Sequence, residues 1–497
     1  MGIIKKQGIS NSIIIIIGAI IGAINVMVLF PKIIPKEYFG LTRVLVELSY
    51  VVTQFGLLGG HTAIVKFWSQ FKKKGGLIRF VFSYVLVATS IVFFLIFYFQ
   101  NDIINYYNTK SPLFSNHYHL IFYLFVFGIV YEFMASISFA MLKAKVPVLL
   151  KEVGIRLYVS FIIVLYAFKV IDIDLFVRLF VLGYFLITIL MVLAVLKEAK
   201  QIDVAKVLLT VQQKKEILKY STINFLTGFS SGIVNRLDTI MIATIVGGAA
   251  GLNEGLRGVA IYSLALYATT IIEIPSRGLF SIATPMIARF WNEEDRKSLR
   301  VVYQKSSINL SLIAVFLFTL LWANIDELLS FLGTDYNAAK PVVFILGLSK
   351  LFNMTLGVNN IIIGTSKYYR IGAYVMGSLV VITFALNYYL IPQYGIVGAA
   401  IGSLISLVFY NIVSFLFLWY KYGFQPFTIK SPLVFVIGAF AFALSSFTFF
   451  DAPFVNLVIK TIIISIVYLP LVYILRLSKD FNEIAEKYYH KIFSNYS

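Results

Sequence analysis

Long apolar runs alternate with short polar or Pro/Gly-bearing breaks along almost the whole chain. The runs lie at 9–30, 39–65, 77–99, 118–141, 153–170, 175–196, 217–247, 259–288, 306–323, 340–363, 370–390, 395–419, 431–449 and 455–475. Each approaches the roughly 20 residues that an α-helix needs to cross a bilayer. The runs are continuously apolar rather than alternating over ten-residue strands, so they predict helices and not a barrel. The pattern therefore predicts an all-α polytopic membrane protein with about fourteen transmembrane helices. Little chain is left for a soluble domain.

Composition supports this: 60% of the 497 residues are hydrophobic and 13% are charged. The net charge of +19 raises the question of nucleic acid, and the placement of the basic residues answers it. With the N-terminus in the cytoplasm, thirty of the 42 Lys and Arg fall in inner segments, nine in outer connectors, and Arg236, Arg277 and Lys350 inside spans. This is the positive-inside pattern, with both termini cytoplasmic in the inner membrane, and it predicts no nucleic-acid partner. The absence of cysteine removes disulfides and thiolate chemistry. The close pair His117 and His119 lies in a polar connector and predicts surface histidines rather than a metal site.

The basic start and apolar run at the N-terminus, too long for a signal peptide, read as the first span. Residues 200–216, with Val204, Val207, Leu208 and Val211 at helical spacing, predict an amphipathic cytoplasmic linker. Residues 476–497 predict a similar tail through Phe481, Ile484, Tyr488 and Ile492, on the membrane face or against protein.

The second span closes on "KFWSQ" and the eighth on "RFWNE". An even number of intervening spans keeps the orientation, so the halves read as parallel repeats. The expected organisation is an N-terminal lobe over 1–199, a C-terminal lobe over 217–420, two added helices over 431–475, and the tail. The segments "NVMVLFPKIIPKEYFGLTRVLVELSYVVTQFGLLGG", "NRLDTIMIATIVGG" and "NYYLIPQYGIVGAAIGSLIS" resemble the polysaccharide-flippase branch of the multidrug/oligosaccharidyl-lipid/polysaccharide exporter superfamily. That resemblance implies movement of lipid-linked oligosaccharide between leaflets by alternating access of two lobes. Membrane lipids are then partners, and a glycan polymerase and glycosyltransferases are possible ones. It brings no short catalytic signature.

A charge at the centre of a transmembrane helix costs on the order of 2.5–3.5 kcal/mol on insertion scales, so buried charges point to a wet cavity or a partner. Arg236 and Asp238 lie in the seventh span, Glu273 and Arg277 in the eighth, Lys350 in the tenth, Glu47 in the second and Glu132 in the fourth. The deep cations thus fall in the second half and only carboxylates in the first. Arg236 and Asp238 are about 200° apart around a helix and must find separate partners. Glu273 and Arg277 have i,i+4 spacing and can pair, although Pro275 between them disturbs the geometry.

Arg236, Arg277 and Lys350 form a candidate cationic cavity, since guanidinium groups bind phosphate oxygens bidentately. Asn25, Asn224, Asn235, Asn359 and Asn360 are candidate sugar contacts or interhelical hydrogen-bond formers. Glu47, Glu132, Asp238 and Glu273 are candidates for a gate or for proton or sodium coupling. No phosphate-binding loop for ATP appears and no bound cofactor is expected. No outer connector is long enough to carry a catalytic site, which argues against an enzyme such as a polymerase or ligase. A lipid II flippase is the second reading and an ion-coupled drug antiporter the third.

Overall fold

The computed structural model describes residues 2–71, 73–199, 208–249, 251–447 and 450–493, with side chains left undescribed at several positions, Asn235 and Ile484 among them. No strand occurs among the described residues, so the all-α expectation holds. Among the described residues seven helices are long and apolar enough to cross a membrane, and up to eleven spans result if each of four sharply bent pairs counts as one. The difference from fourteen arises from short spans and from one 54-residue helix that runs through two expected spans, Tyr369–Tyr422. Gly395, with φ 55° and ψ −134°, breaks that helix.

The chain forms two compact units, residues 1–263 and 264–497. The first unit contains α1 (Gly2–Ile24), α2 (Lys36–Leu57), α3 (Gly60–Phe67), α4 (Gly75–Tyr98), α5 (Leu120–Ala140), α6 (Ile155–Ala167), α7 (Ile173–Ala199), α8 (Val211–Ala249) and the start of α9 (Glu254–Thr270). The seventh expected span, α8, packs on α2 and α3 and so belongs to this unit by contact. Residues 200–207 of the expected linker lie outside the described residues; Leu208–Thr210 are not helical, and Val211 onward is already α8.

Fully buried Leu45, Ile64, Leu77, Val81 and Phe125 form the centre of this unit. Phe30 stacks on Phe39 with ring centroids 4.6 Å apart. The second expected span is broken: Leu58 (φ 40°) and Gly59 (φ 74°) both adopt left-handed conformations, and the chain bends by 55° between α2 and α3. Gly59 is required there twice over, because a Cβ would also stand 2.2 Å from the Ser221 carbonyl oxygen.

The second unit contains the rest of α9, then α10 (Ile274–Asn292), α11 (Arg296–Ala323), α12 (Ala339–Thr355), α13 (Asn359–Thr365), α14 (Tyr369–Tyr422), α15 (Ser431–Ser445), α16 (Pro453–Ile474) and α17 (Lys479–Phe493). The chain bends by 54° between α9 and α10, matching the break in the second span, and each bent pair ends on its Phe-Trp motif. Trp291 of that motif donates to the Ile362 carbonyl at 3.0 Å and packs beside a cluster of Ile287, Leu299, Tyr303, Ile362 and Leu418.

The tail forms α17, whose Asp480 accepts from Lys305 Nζ at 3.1 Å and Asn309 Nδ2 at 2.8 Å. Burial pushes the Asp480 carboxyl up, but these hydrogen bonds and the Lys305 charge outweigh it and hold the group below the usual carboxylate range. Tyr488 and Ile492 of its expected apolar face, like Ile484, have undescribed side chains.

Gly40 gives a direct test of the packing in the first unit, because a Cβ there would stand 1.8 Å from the Leu256 carbonyl oxygen of α9. Backbone cannot yield as a flexible side chain does, so Gly40→Ala should destabilise the protein by at least about 1–3 kcal/mol. Gly278→Ala, where nothing lies within 4 Å, should leave thermal unfolding in detergent nearly unchanged.

Candidate functional site: ion pairs within the spans

Arg236 sits where α8 bends by 56°, at the first residue of its second segment. Its Nε lies 2.9 Å from Glu47 Oε2 of α2, and its Nη1 donates to the Gly232 carbonyl at 2.7 Å. The guanidinium carbon lies 3.6 Å from the centroid of the Tyr50 ring, one turn along α2 from Glu47. A second arginine, Arg43, reaches the other oxygen of the same carboxylate at 3.4 Å. Two guanidinium groups thus share one carboxylate, and the group carries a surplus positive charge. Arg236 exposes 25% of its side chain and Glu47 14%, so the pair is neither sealed nor freely solvated.

Asp238 faces the other way. It is buried and accepts a hydrogen bond from Tyr262 of α9. The separation of the two charges around the helix is therefore realised, with the arginine toward α2 and the aspartate toward α9.

Two basic residues that the sequence assigns to an inner loop stand instead among the helices. A wide π-type turn, Leu150–Gly154, joins Lys145–Leu149 to α6 and carries Lys151 and Glu152. Such a turn inserts a residue into the helical ladder and redirects the side chains that follow. Lys151 Nζ lies 2.5 Å from Glu132 of α5, and Arg156 of α6 pairs with Glu152 at 2.9 Å. Glycines on α1 admit this turn: a Cβ at Gly18 would stand 2.4 Å from the Glu152 carbonyl, and one at Gly22 would stand 3.2 Å from the Arg156 guanidinium. The first half thus also carries cations paired with carboxylates on helical segments, Lys151 and Arg156, beside the expected Arg236, Arg277 and Lys350.

His61, the second residue of α3, lies within electrostatic reach of Glu132 and Lys151. Its Nδ1 is buried without a hydrogen-bond partner. Tyr50 is within electrostatic reach of Lys151 while stacking on Arg236.

In the second unit Glu273, just before α10, pairs with Lys350 of α12 at 3.0 Å rather than with Arg277. The helix after the break starts at Ile274 with Pro275 in its first turn, and Glu273 stands at the position before it without a side-chain capping hydrogen bond. Arg277 is exposed, and no ion pair found among the described residues includes it. An amide chain extends from the Glu273–Lys350 pair: Asn353 donates to Glu273 at 3.2 Å, Asn411 to Asn353 at 3.1 Å and Asn359 to Asn411 at 3.2 Å. Asn359 also accepts from the Asn360 backbone N–H at 2.7 Å.

Asn25 uses both amide atoms on α6, donating to the Arg156 carbonyl at 2.8 Å and accepting from Ser160 at 2.6 Å. Asn224 donates to the Tyr220 carbonyl one turn back, at 3.1 Å. Asn235 has an undescribed side chain.

A protein-family model described as MatE matches residues 230–389. No curated protein sequence matches the chain. Among solved structures, the chain is similar to a lipid II flippase MurJ in an inward closed conformation, with a TM-score of 0.71 at 17% identity over 94% of this chain and 98% of that one. It is also similar to an inward-facing multidrug resistance MATE family transporter of the MOP superfamily, at 0.57 and 13% over 82% and 98%. A MATE in complex with MaL6 matches at 0.53 and 14% over 84% and 95%. The fold is that of multi-pass transporters of the MOP type. Within that class the flippase structure superposes over more of this chain than do the two MATE structures.

The central contact is open to a double-mutant cycle. Glu47→Gln and Arg236→Gln should each lower the unfolding temperature in detergent, and the double variant should lose less than the sum, with a coupling of about 1–3 kcal/mol. Additive losses would mean that the pair contributes nothing.

Proposed function

We propose that this protein is a flippase that moves polyprenyl-diphosphate-linked oligosaccharide units across the cytoplasmic membrane by alternating access. The observation that carries this reading is the Arg43–Glu47–Arg236 group, with two guanidinium groups on one carboxylate between α2 and α8. A diphosphate supplies the missing negative charge and accepts bidentate hydrogen bonds from Arg236. The pairing with Glu47 holds the arginine when no anion is present, and its partial exposure leaves it accessible. Attraction without permanent capture is what a carrier requires.

A cationic drug would meet surplus positive charge at this position, which disfavours the drug-antiporter reading. Lipid II has the same polyprenyl-diphosphate chemistry, and the likeness to a lipid II flippase at a TM-score of 0.71 keeps it as the second reading. Lys350 and Arg277 supply further positive groups in the second unit, the first of them already balanced by Glu273. Asn25 and Asn359 are tied into helix packing in this state, which favours their interhelical role over sugar contact. A glycan polymerase and glycosyltransferases are the partners such a substrate requires. Proton or sodium coupling would act through the carboxylates, and no cofactor enters the scheme.

The test is flipping of fluorescent polyprenyl-diphosphate oligosaccharide, and separately of lipid II, in proteoliposomes. Losing a charge-assisted contact worth about 1.5–3 kcal/mol should slow Arg236→Ala by roughly 10- to 100-fold, with Arg236→Lys between it and the wild type. Normally inserted Arg236→Ala and Arg277→Ala proteins that flip both lipids at the full rate would overturn the proposal.

A further inference from the structure

The Glu132–Lys151 pair and the unpartnered nitrogen of His61 have no place in the function proposed so far. Lys151 exposes 53% of its side chain although its ammonium is held by Glu132, itself 24% exposed. The lysine is thus available to an anion, and Tyr50 is within electrostatic reach of it while lying against Arg236. A diphosphate has two phosphoryl groups and can engage two cationic centres. If Lys151 turns to a phosphate oxygen, Glu132, 24% exposed, is left charged without its counter-ion, which favours its protonation.

The other ionisable groups nearby are already occupied. Glu152 is paired with Arg156 at 2.9 Å. The Tyr131 hydroxyl donates to the Pro147 carbonyl at 2.6 Å, and Tyr84 is hydrogen-bonded to Ser221 at 2.9 Å. Tyr50 lies against Arg236. His61 is different: its Nδ1 is buried without a hydrogen-bond partner, and α3, which carries it, packs against α5, which carries Glu132. Buried polar atoms are rarely left without a partner, and each exception calls for a reason.

We infer that Glu132 is a proton-binding site loaded by substrate: as a diphosphate takes Lys151, Glu132 takes one proton and gives its new O–H to Nδ1 of neutral His61. The inference rests on the flippase reading. The proton comes from water; one O–H bond forms on Glu132, and the Lys151 ammonium exchanges a carboxylate partner for a phosphate one without losing its own protons. Release of the substrate returns the lysine to Glu132 and the proton to water.

The experiment is calorimetric titration of the full-length protein in detergent with farnesyl diphosphate, at pH 7.5, in buffers of different ionisation enthalpy. Ionisation of the probe cancels between variants. The wild type should take up about one proton more per bound ligand than Glu132→Gln, which should bind more tightly because Lys151 is already released. His61→Leu should bind with clearly less proton uptake than the wild type. Equal proton uptake by wild type and Glu132→Gln, with both binding the probe, would overturn this inference and leave the flippase reading standing. Full uptake by His61→Leu would overturn the role of His61 as acceptor. Failure of the wild type to bind a prenyl diphosphate at all would overturn both.

Discussion

Lipid hydrocarbon cannot solvate an ion, and the interior of this protein is arranged around that fact. The cations among the helices are matched by carboxylates from another helix or from beyond a helix break: Arg236 with Glu47, Lys350 with Glu273 and the more exposed Lys151 with Glu132. Such pairs are poor sources of stability, because desolvation cancels much of the Coulomb energy. They are costly to break one-sidedly, however, and that asymmetry suits them to exchange. An incoming anion that replaces the carboxylate keeps the cation matched throughout, so the barrier to swapping partners is far below the cost of stripping the charge bare.

The charges owe their positions to irregular backbone. Arg236 opens the segment after a bend in α8, Glu273 stands in the break between α9 and α10, His61 follows the left-handed Leu58–Gly59 corner, and Lys151 lies in a π-type turn. Non-helical backbone at membrane depth survives only where protein or water satisfies it. The same places are where side chains can leave the regular helical register and converge. Glycines at 18, 22, 40 and 59 let neighbouring helices come close enough to cover these irregularities.

Much of this was legible in the sequence. The apolar runs were long enough to give the helices, and the charges that interrupted them singled out Arg236, Glu47, Glu273, Lys350 and Glu132, because an ion in a greasy run is expensive and conspicuous. The 200° between Arg236 and Asp238 was enough to send them to different neighbours. The loop-like segment at 143–156 was misleading. Its four basic residues fit the positive-inside pattern so well that Lys151 and Arg156 read as cytoplasmic, although Glu152 and Arg156 at i,i+4 hinted at a helix continuing through. Glu273 chose Lys350 over Arg277 because the break at Pro275 removed the helical spacing on which the nearer pair depended. His61 carried no sequence signal, since its meaning lies in a missing partner.

The central claim is that the carboxylate on Arg236 is a placeholder for substrate phosphate. The most direct measurement is an electron cryomicroscopy structure of the protein in lipid nanodiscs saturated with a short-chain prenyl-diphosphate saccharide. The account predicts a phosphate oxygen in hydrogen-bond contact with the Arg236 guanidinium and the Glu47 carboxylate drawn beyond the 2.9 Å it holds here. A ligand bound elsewhere, with the Arg236–Glu47 pair intact, would contradict it.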